Sequence, residues 1–206
     1  MKNSIRTSVT DDVKDFVKLK NQLSLPTSVT TSTKGGFLLG TNESTYRFYI
    51  NQGICFTARK EDNVIGFGIA LSNDIVRKGE LWQKRKEVDW TIDIKLLERS
   101  NVAYIEQLAF LAGNKKLAIV LAYHLINKTF NAGADYVLTT TVRKPILNLA
   151  AVPLIKAAGG SVIGNIDENY PGFDQINSDI YLIKKEDFYK NIEKLKIYSF
   201  LKSNEV

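Results

Sequence analysis

Val102-Ala103-Tyr104-Ile105-Glu106-Gln107-Leu108-Ala109-Phe110-Leu111, the turn Ala112-Gly113-Asn114, and the run from Lys115 to about Asn131 decide how this chain is read. The first stretch is β-rich and apolar, interrupted only by Glu106 and Gln107, which predicts a buried strand. From Lys115 the period changes. Leu117, Val120, Leu121, Leu125 and Ile126 return at helical spacing, and Gly133 lies just beyond the end. A helix that starts directly after a central strand places its free N–H groups and positive dipole end beside the sheet, a setting that holds a phosphate or pyrophosphate. Lys115 and Lys116 add charge at that turn. The plainer alternative is an ordinary strand–turn–helix with surface lysines.

Downstream, Asp135–Val142 reads as another strand. Pro145 is expected to open a helix running to about Ala158, because its fixed φ and missing N–H cost little in a first turn. Asn148 then falls in that first turn, and Gly159-Gly160 ends the helix. Ser161–Gly164 reads as a short strand, Pro171-Gly172 as part of a loop and Ser178–Ile183 as the last strand. From Lys184 an amphipathic helix carries Phe188, Ile192, Leu195 and Ile197.

Upstream, Ser4–Thr10 alternates weakly as a first strand. Asp11 is expected to cap a helix bearing Val13, Phe16, Val17 and Leu19, which stops before Pro26. Ser28–Lys34, followed by Gly35-Gly36, is a loop by composition, and Ser44–Asn51 a second helix. Ile54–Arg59 and Val64–Leu71 flank the polar turn Lys60-Glu61-Asp62-Asn63 as a hairpin. Residues 74–101 form an insert, with a helical piece around Gly79–Arg85 and an apolar strip through Val88, Trp90, Ile92 and Ile94. The order β–α–α–β–β–(insert)–β–α–β–α–β–β–α combines an antiparallel hairpin with a right-handed βαβ unit. It predicts an α/β fold: a mixed, mostly antiparallel central sheet flanked by helices.

Composition narrows the class. The 206 residues are 44% hydrophobic and 24% charged, enough for the core of one domain spanning 1–206, with 185–206 as a helical extension. No apolar run approaches the roughly 20 residues of a membrane span, and no secretory h-region follows Met1-Lys2-Asn3-Ser4-Ile5-Arg6. Cys55 is the sole cysteine, so a reducing cytoplasmic setting is expected. The formal charge of +6 is dispersed, with Lys84-Arg85-Lys86 followed at once by Glu87 and Asp89. A nucleic-acid partner is therefore not expected. His124, the only histidine, has no partner at metal spacing, so neither a metal nor a Ser–His–Asp triad is expected. Trp82 and Trp90 suit core packing, with an acceptor pocket or a homodimer contact as alternatives.

Taken together, Tyr104-Ile105-Glu106-Gln107-Leu108-Ala109-Phe110, the helix from Lys115, Pro145-x-x-Asn148-x-x-Ala151 with Gly159-Gly160 and Val162-x-Gly164, and Val64-Ile65-Gly66-Phe67 in the hairpin resemble the GNAT superfamily of acyl-CoA-dependent N-acetyltransferases. The resemblance spans most of Ser4–Ile183. It implies transfer of an acetyl group from acetyl-CoA, or another acyl-CoA, to a primary amine of a small molecule or protein. It also implies a cofactor site at Leu108, Ala109, Phe110, Asn114, Lys115, Lys116, Leu117, Ala118, Asn148 and Ala151. Glu106 matches the position of a base, with Tyr104 and Tyr170 as replacement acids.

The family's pyrophosphate loop reads Arg/Gln-x-x-Gly-x-Gly/Ala. Here Gly113-Asn114-Lys115-Lys116-Leu117-Ala118 aligns best with Ala118 last, so Lys116 stands for the first glycine. Ile155 stands where a tyrosine is usual, and Gly160 where a phenylalanine is. These departures motivate the alternative of a catalytically degenerate relative that binds CoA or a partner.

Overall fold

The computed structural model describes residues 3–23, 30–33, 38, 40–170, 173–196 and 198–203, leaving aside the side chains of Tyr170, Phe173, Asp174, Lys202 and Ser203. In chain order the strands are β1 (Asn3–Thr7), β2 (Thr31–Ser32), β3 (Ile54–Lys60), β4 (Asn63–Leu71), β5 (Asp89–Trp90), β6 (Val102–Phe110), β7 (Tyr136–Lys144), β8 (Leu147–Asn148), β9 (Ser161–Tyr170) and β10 (Phe173–Lys184). The helices are α1 (Val13–Gln22), α2 (Glu43–Gln52), α3 (Asn73–Val76), α4 (Glu80–Gln83), α5 (Lys95–Glu98), α6 (Lys115–Asn131), α7 (Val152–Ala157), α8 (Lys185–Glu193) and α9 (Tyr198–Ser203). Eight strands form one sheet in the order β1-β3-β4-β6-β7-β10-β9-β5. Every pairing in it is antiparallel except β6 with β7.

The parallel pair positions the site. Pairing covers only Val102–Tyr104 against Tyr136–Leu138. Beyond that the two strands carry on with their outer neighbours alone, β6 with β4 and β7 with β10, so the sheet opens between them. Side chains close the base of the opening: Thr139 Oγ1 donates to the Ile105 carbonyl at 3.0 Å, and the Tyr104 hydroxyl meets Thr140 Oγ1 at 2.7 Å.

Two layers cover the sheet. On one face α1, α2 and the insert pack on Phe67, Ile69, Val102 and Leu138, with Phe16 stacked on Phe67 and Tyr46 edge-on to both rings. On the other lie α6, α8 and α9. Seven consecutive residues of α6, Val120–Ile126, are buried, because the sheet covers one side of the helix and α8 and α9 cover another. The chain leaves α6 through Gly133 at φ +98°, a conformation an L side chain rarely adopts.

Several sequence expectations need correction. Asp12, not Asp11, precedes α1. It is buried, accepting two bonds from Arg6 at 2.7 Å, the Val9 N–H at 2.9 Å and the Thr57 hydroxyl at 3.0 Å, and so clasps β1 and β3 to the helix. The expected helix after Pro145 does not start there. β7 runs on to Lys144, and Leu147–Asn148 pairs in parallel with Thr31–Ser32, so the Ser/Thr-rich loop contains a short strand. The helix starts at Val152 with Pro153 in its first turn, where a missing N–H costs little.

Ser161–Gly164 is the beginning of a strand that continues to Tyr170. The polar residues that hid its extension are tolerated because β10 pairs along it. The insert holds three short helices rather than one piece, and its Asp89–Trp90 adds an edge strand to β9. The C-terminal helix is divided into α8 and α9, with Ile197 outside the described residues. Pro171-Gly172 and residues 24–29 and 34–37 also lie outside them. No helix among the described residues is long and apolar enough to cross a membrane.

Candidate active site

Glu106 is placed by an irregularity in β6. Ile69 faces Gln107 and Ala70 faces Ile105, so Glu106 has no partner on β4 and forms a β-bulge. A bulge adds a residue to one strand and re-aims the side chains after it. Here it lets two successive polar residues serve the α2 face. Gln107 is buried, accepting from the Tyr46 hydroxyl at 3.0 Å and donating to Thr41 Oγ1 at 2.8 Å. Glu106 Oε1 accepts from the Tyr49 hydroxyl at 3.2 Å. Interruption of the apolar strand by Glu-Gln is the sequence trace of this bulge.

A cavity of ≈ 1440 Å³ passes through the opening from one face of the sheet to the other. On the α6 face its walls are Leu108, Phe110, Ala118, Ala122, Leu154 and Ile155. On the α2 face they include Phe48, Tyr49, Tyr104, Glu106 and Ile176. The volume exceeds that of a pocket for one drug-sized ligand.

Burial pushes the Glu106 carboxyl above the ordinary glutamate value. The Tyr49 hydrogen bond opposes this, and the charge of Glu168 adds to it. Glu168, on β9, lines the same cavity. Its carboxyl is also raised by burial, against a hydrogen bond with Ser178, with the charge of Glu80 adding and that of Lys84 opposing. Burial and the charge of Glu106 likewise hold the Tyr49 and Tyr104 hydroxyls protonated. Cys55 is buried and its thiol is pushed up to about 12, so it supplies no thiolate nucleophile.

The expected cofactor residues divide into two groups. Leu108, Ala109, Phe110, Ala118, Asn148 and Ala151 all line the cavity. Asn148 does so from β8, not from a helix, with Oδ1 accepting the Ala150 N–H at 3.1 Å. Asn114, Lys115, Lys116 and Leu117 do not line it. Asn114 turns back to the Leu111 and Ala112 carbonyls at 3.1 and 3.2 Å. The Lys116 ammonium sits 4.0 Å from the centre of the Phe200 ring of α9, so its side chain is engaged with the C-terminal helix.

What the helix start does offer is backbone. The first intrahelical bond joins the Ala118 N–H to the Asn114 carbonyl, which leaves the amides of Lys115, Lys116 and Leu117 ahead of the ladder. Gly113 turns into them at φ +84° with open space where a Cβ would be.

Of the two acid candidates, Tyr104 lines the cavity with its hydroxyl on Thr140, while the Tyr170 backbone ends β9 and its side chain lies outside the described residues. Trp82 is buried with Arg77 3.8 Å from its ring centre, and Trp90 donates to the Arg85 carbonyl; neither lines the cavity. Gly160 has no room for a larger residue: a Cβ there falls 2.5 Å from Ile155 Cγ2 and 2.9 Å from the Ile155 carbonyl. Sequence reading missed Tyr49, Thr139, Thr140, Glu168 and Ser178. Only Glu168 left a trace, sharing the period-two face of Gly164 and Ile166 once the strand is extended.

No protein-family model and no curated protein matches the sequence. Solved structures do match the fold. An acetyltransferase of the GNAT family from Streptococcus pneumoniae superposes with a TM-score of 0.57 at 13% identity, covering 88% of this chain and 98% of that one. The ribosomal-protein-S18-alanine N-acetyltransferase from Escherichia coli gives 0.58 at 14% identity, over 89% and 94%. A chain of the NatC complex bound to Gag peptide and CoA gives 0.54 at 13% identity, over 89% and 99%. The chain has the GNAT fold.

Proposed function

We propose that this protein is an acyl-CoA-dependent N-acyltransferase that uses the opening between β6 and β7. The observation that carries the reading is the coincidence, in one cavity, of a desolvated carboxylate at a bulge and the unpaired edge of the same strand.

The residues present fit an acyl-CoA. Beyond Tyr104, β6 has a neighbour on one side only, so its free edge near Leu108–Phe110 suits an amide-bearing arm added like a strand. The apolar walls suit a thin aliphatic chain, and the leading amides of α6 suit a diphosphate. Bound there, acyl-CoA supplies an activated acyl group as a thioester. Glu106 takes the proton of the attacking amine, directly or through one water, and its raised pKa matches it to that task. The Tyr49 hydroxyl fixes the carboxylate by holding Oε1. N–H groups of the free β6 edge stabilise charge developing on the acyl oxygen.

The test is calorimetric titration with acetyl-CoA, followed by thiol release with an amine panel. Binding with amine-dependent release that Glu106→Gln abolishes is expected. No binding at millimolar acetyl-CoA overturns the reading; binding without release for any amine favours the degenerate alternative.

A further inference from the structure

Two carboxylates from different strands face the α2 end of the cavity: Glu106 at the bulge of β6 and Glu168 on β9. Among the described residues neither forms an ion pair. Glu106 accepts one hydrogen bond, on Oε1, and Oε2 accepts none among the described residues. A carboxylate offers about four lone-pair sites, so among the described residues most of its capacity is unused, and the residue lines the cavity. Glu168 is bonded to the Ser178 hydroxyl, which carries no charge to match its own. Both carboxylates are half-buried, and a carboxylate drawn partly out of water is stabilised in its charged form by a nearby cation. The basic residues nearby do not meet that need: Lys84 is bonded to Glu80 at 2.5 Å, and Lys78 lines the cavity without an ion-pair partner among the described residues. The insert places Glu80 on the same wall, so three glutamates line an acceptor end in a chain of net charge +6. The surfaces around them are apolar or aromatic: Phe48, Tyr49, Leu81, Tyr104 and Ile176.

We propose that the acceptor is a linear aliphatic di- or polyamine, with its reacting nitrogen at Glu106, its second ammonium held by Glu168 and its methylene chain along the apolar wall. The inference rests on the N-acyltransferase reading and specifies its substrate. The reacting nitrogen forms the new N–C bond as the C–S bond breaks. Its proton passes to Glu106, and the departing thiolate leaves as the thiol after taking up a proton. The second ammonium stays protonated throughout, and its charge replaces the cation that Glu168 lacks. Glu168 is thus a specificity residue that touches substrate away from the reacting atoms.

The test compares putrescine, cadaverine and spermidine with butylamine, pentylamine and a lysine-rich peptide, as kcat/KM and by calorimetry on the acetyl-CoA complex. Diamines are expected to exceed monoamines of equal length by about tenfold or more, the usual scale for a charge-assisted bond. Glu168→Gln is expected to collapse that ratio, and Glu168→Asp to retain part of it, with acetyl-CoA affinity reporting an intact fold in each variant. Equal use of mono- and diamines, preference for the peptide, or a ratio unchanged in Glu168→Gln overturns the proposal while leaving acyl transfer standing. Failure to bind acetyl-CoA instead removes the N-acyltransferase reading beneath it.

Discussion

Glu106 has two measurable consequences at the scale of one residue. Replacement by Gln removes a positioned base, and kcat/KM is expected to fall by about 10²–10⁴-fold, with loss of the acidic limb of the pH–rate profile. The same change acts oppositely on stability. Because the folded-state pKa is raised, the carboxyl contributes stability that is full below its unfolded pKa and lost as pH rises through the folded value. Glu106→Gln is therefore expected to be more stable than the parent at neutral pH, an advantage that vanishes in acid; urea midpoints across pH measure it. Tyr49→Phe tests the neighbouring hydroxyl. Its bond favours the ionised carboxylate, so without it Glu106 holds its proton to higher pH and the acidic limb of kcat/KM moves upward. A limb that stays in place, or moves down, rules out Tyr49 as the group that positions the base.

At the scale of elements, close contacts across the sheet shape the opening. A Cβ on Gly66 would lie 2.4–2.6 Å from three ring atoms of Phe110, which itself lines the cavity. Gly66→Ala therefore forces Phe110 aside. Overpacking of this kind costs about 1–3 kcal/mol, and weaker acetyl-CoA binding is expected beyond that loss, read by calorimetry on the folded variant. Elements were legible in the sequence where one period ran unbroken: α6 has the bounds its apolar spacing predicts, and the β3–β4 hairpin turns inside the predicted stretch, at Glu61-Asp62, with Lys60 and Asn63 paired as strand residues. They were obscured where pairing overrides local preference. Asn148 reads as a helical residue after a proline, yet Leu147–Asn148 is drawn into pairing with Thr31–Ser32. The strand β9 looks too polar beyond Gly164, yet β10 satisfies its backbone to Tyr170.

At the scale of the whole molecule, a ligand that spans the opening contacts β6, α6 and α7 together and so stabilises the fold as a unit. With acetyl-CoA at about 100 times its Kd, linkage gives about 2.7 kcal/mol, a rise in Tm of roughly 5–10 °C for a chain of this length. A melting temperature that does not respond argues against cofactor binding across the opening.

By itself the sequence determined the order of the longer strands and helices, the buried strand carrying Glu106 and the helix that follows it, because hydrophobic period and glycine positions are local properties. Tertiary structure alone decided that β6 and β7 separate after three paired positions, that Glu106 occupies a bulge, that Lys116 turns to Phe200, and that Glu168 shares a cavity with Glu106. Those features depend on strand register and on partners far apart in the chain. Residues 62 positions apart acquire a common electrostatic environment only once the sheet has formed around them.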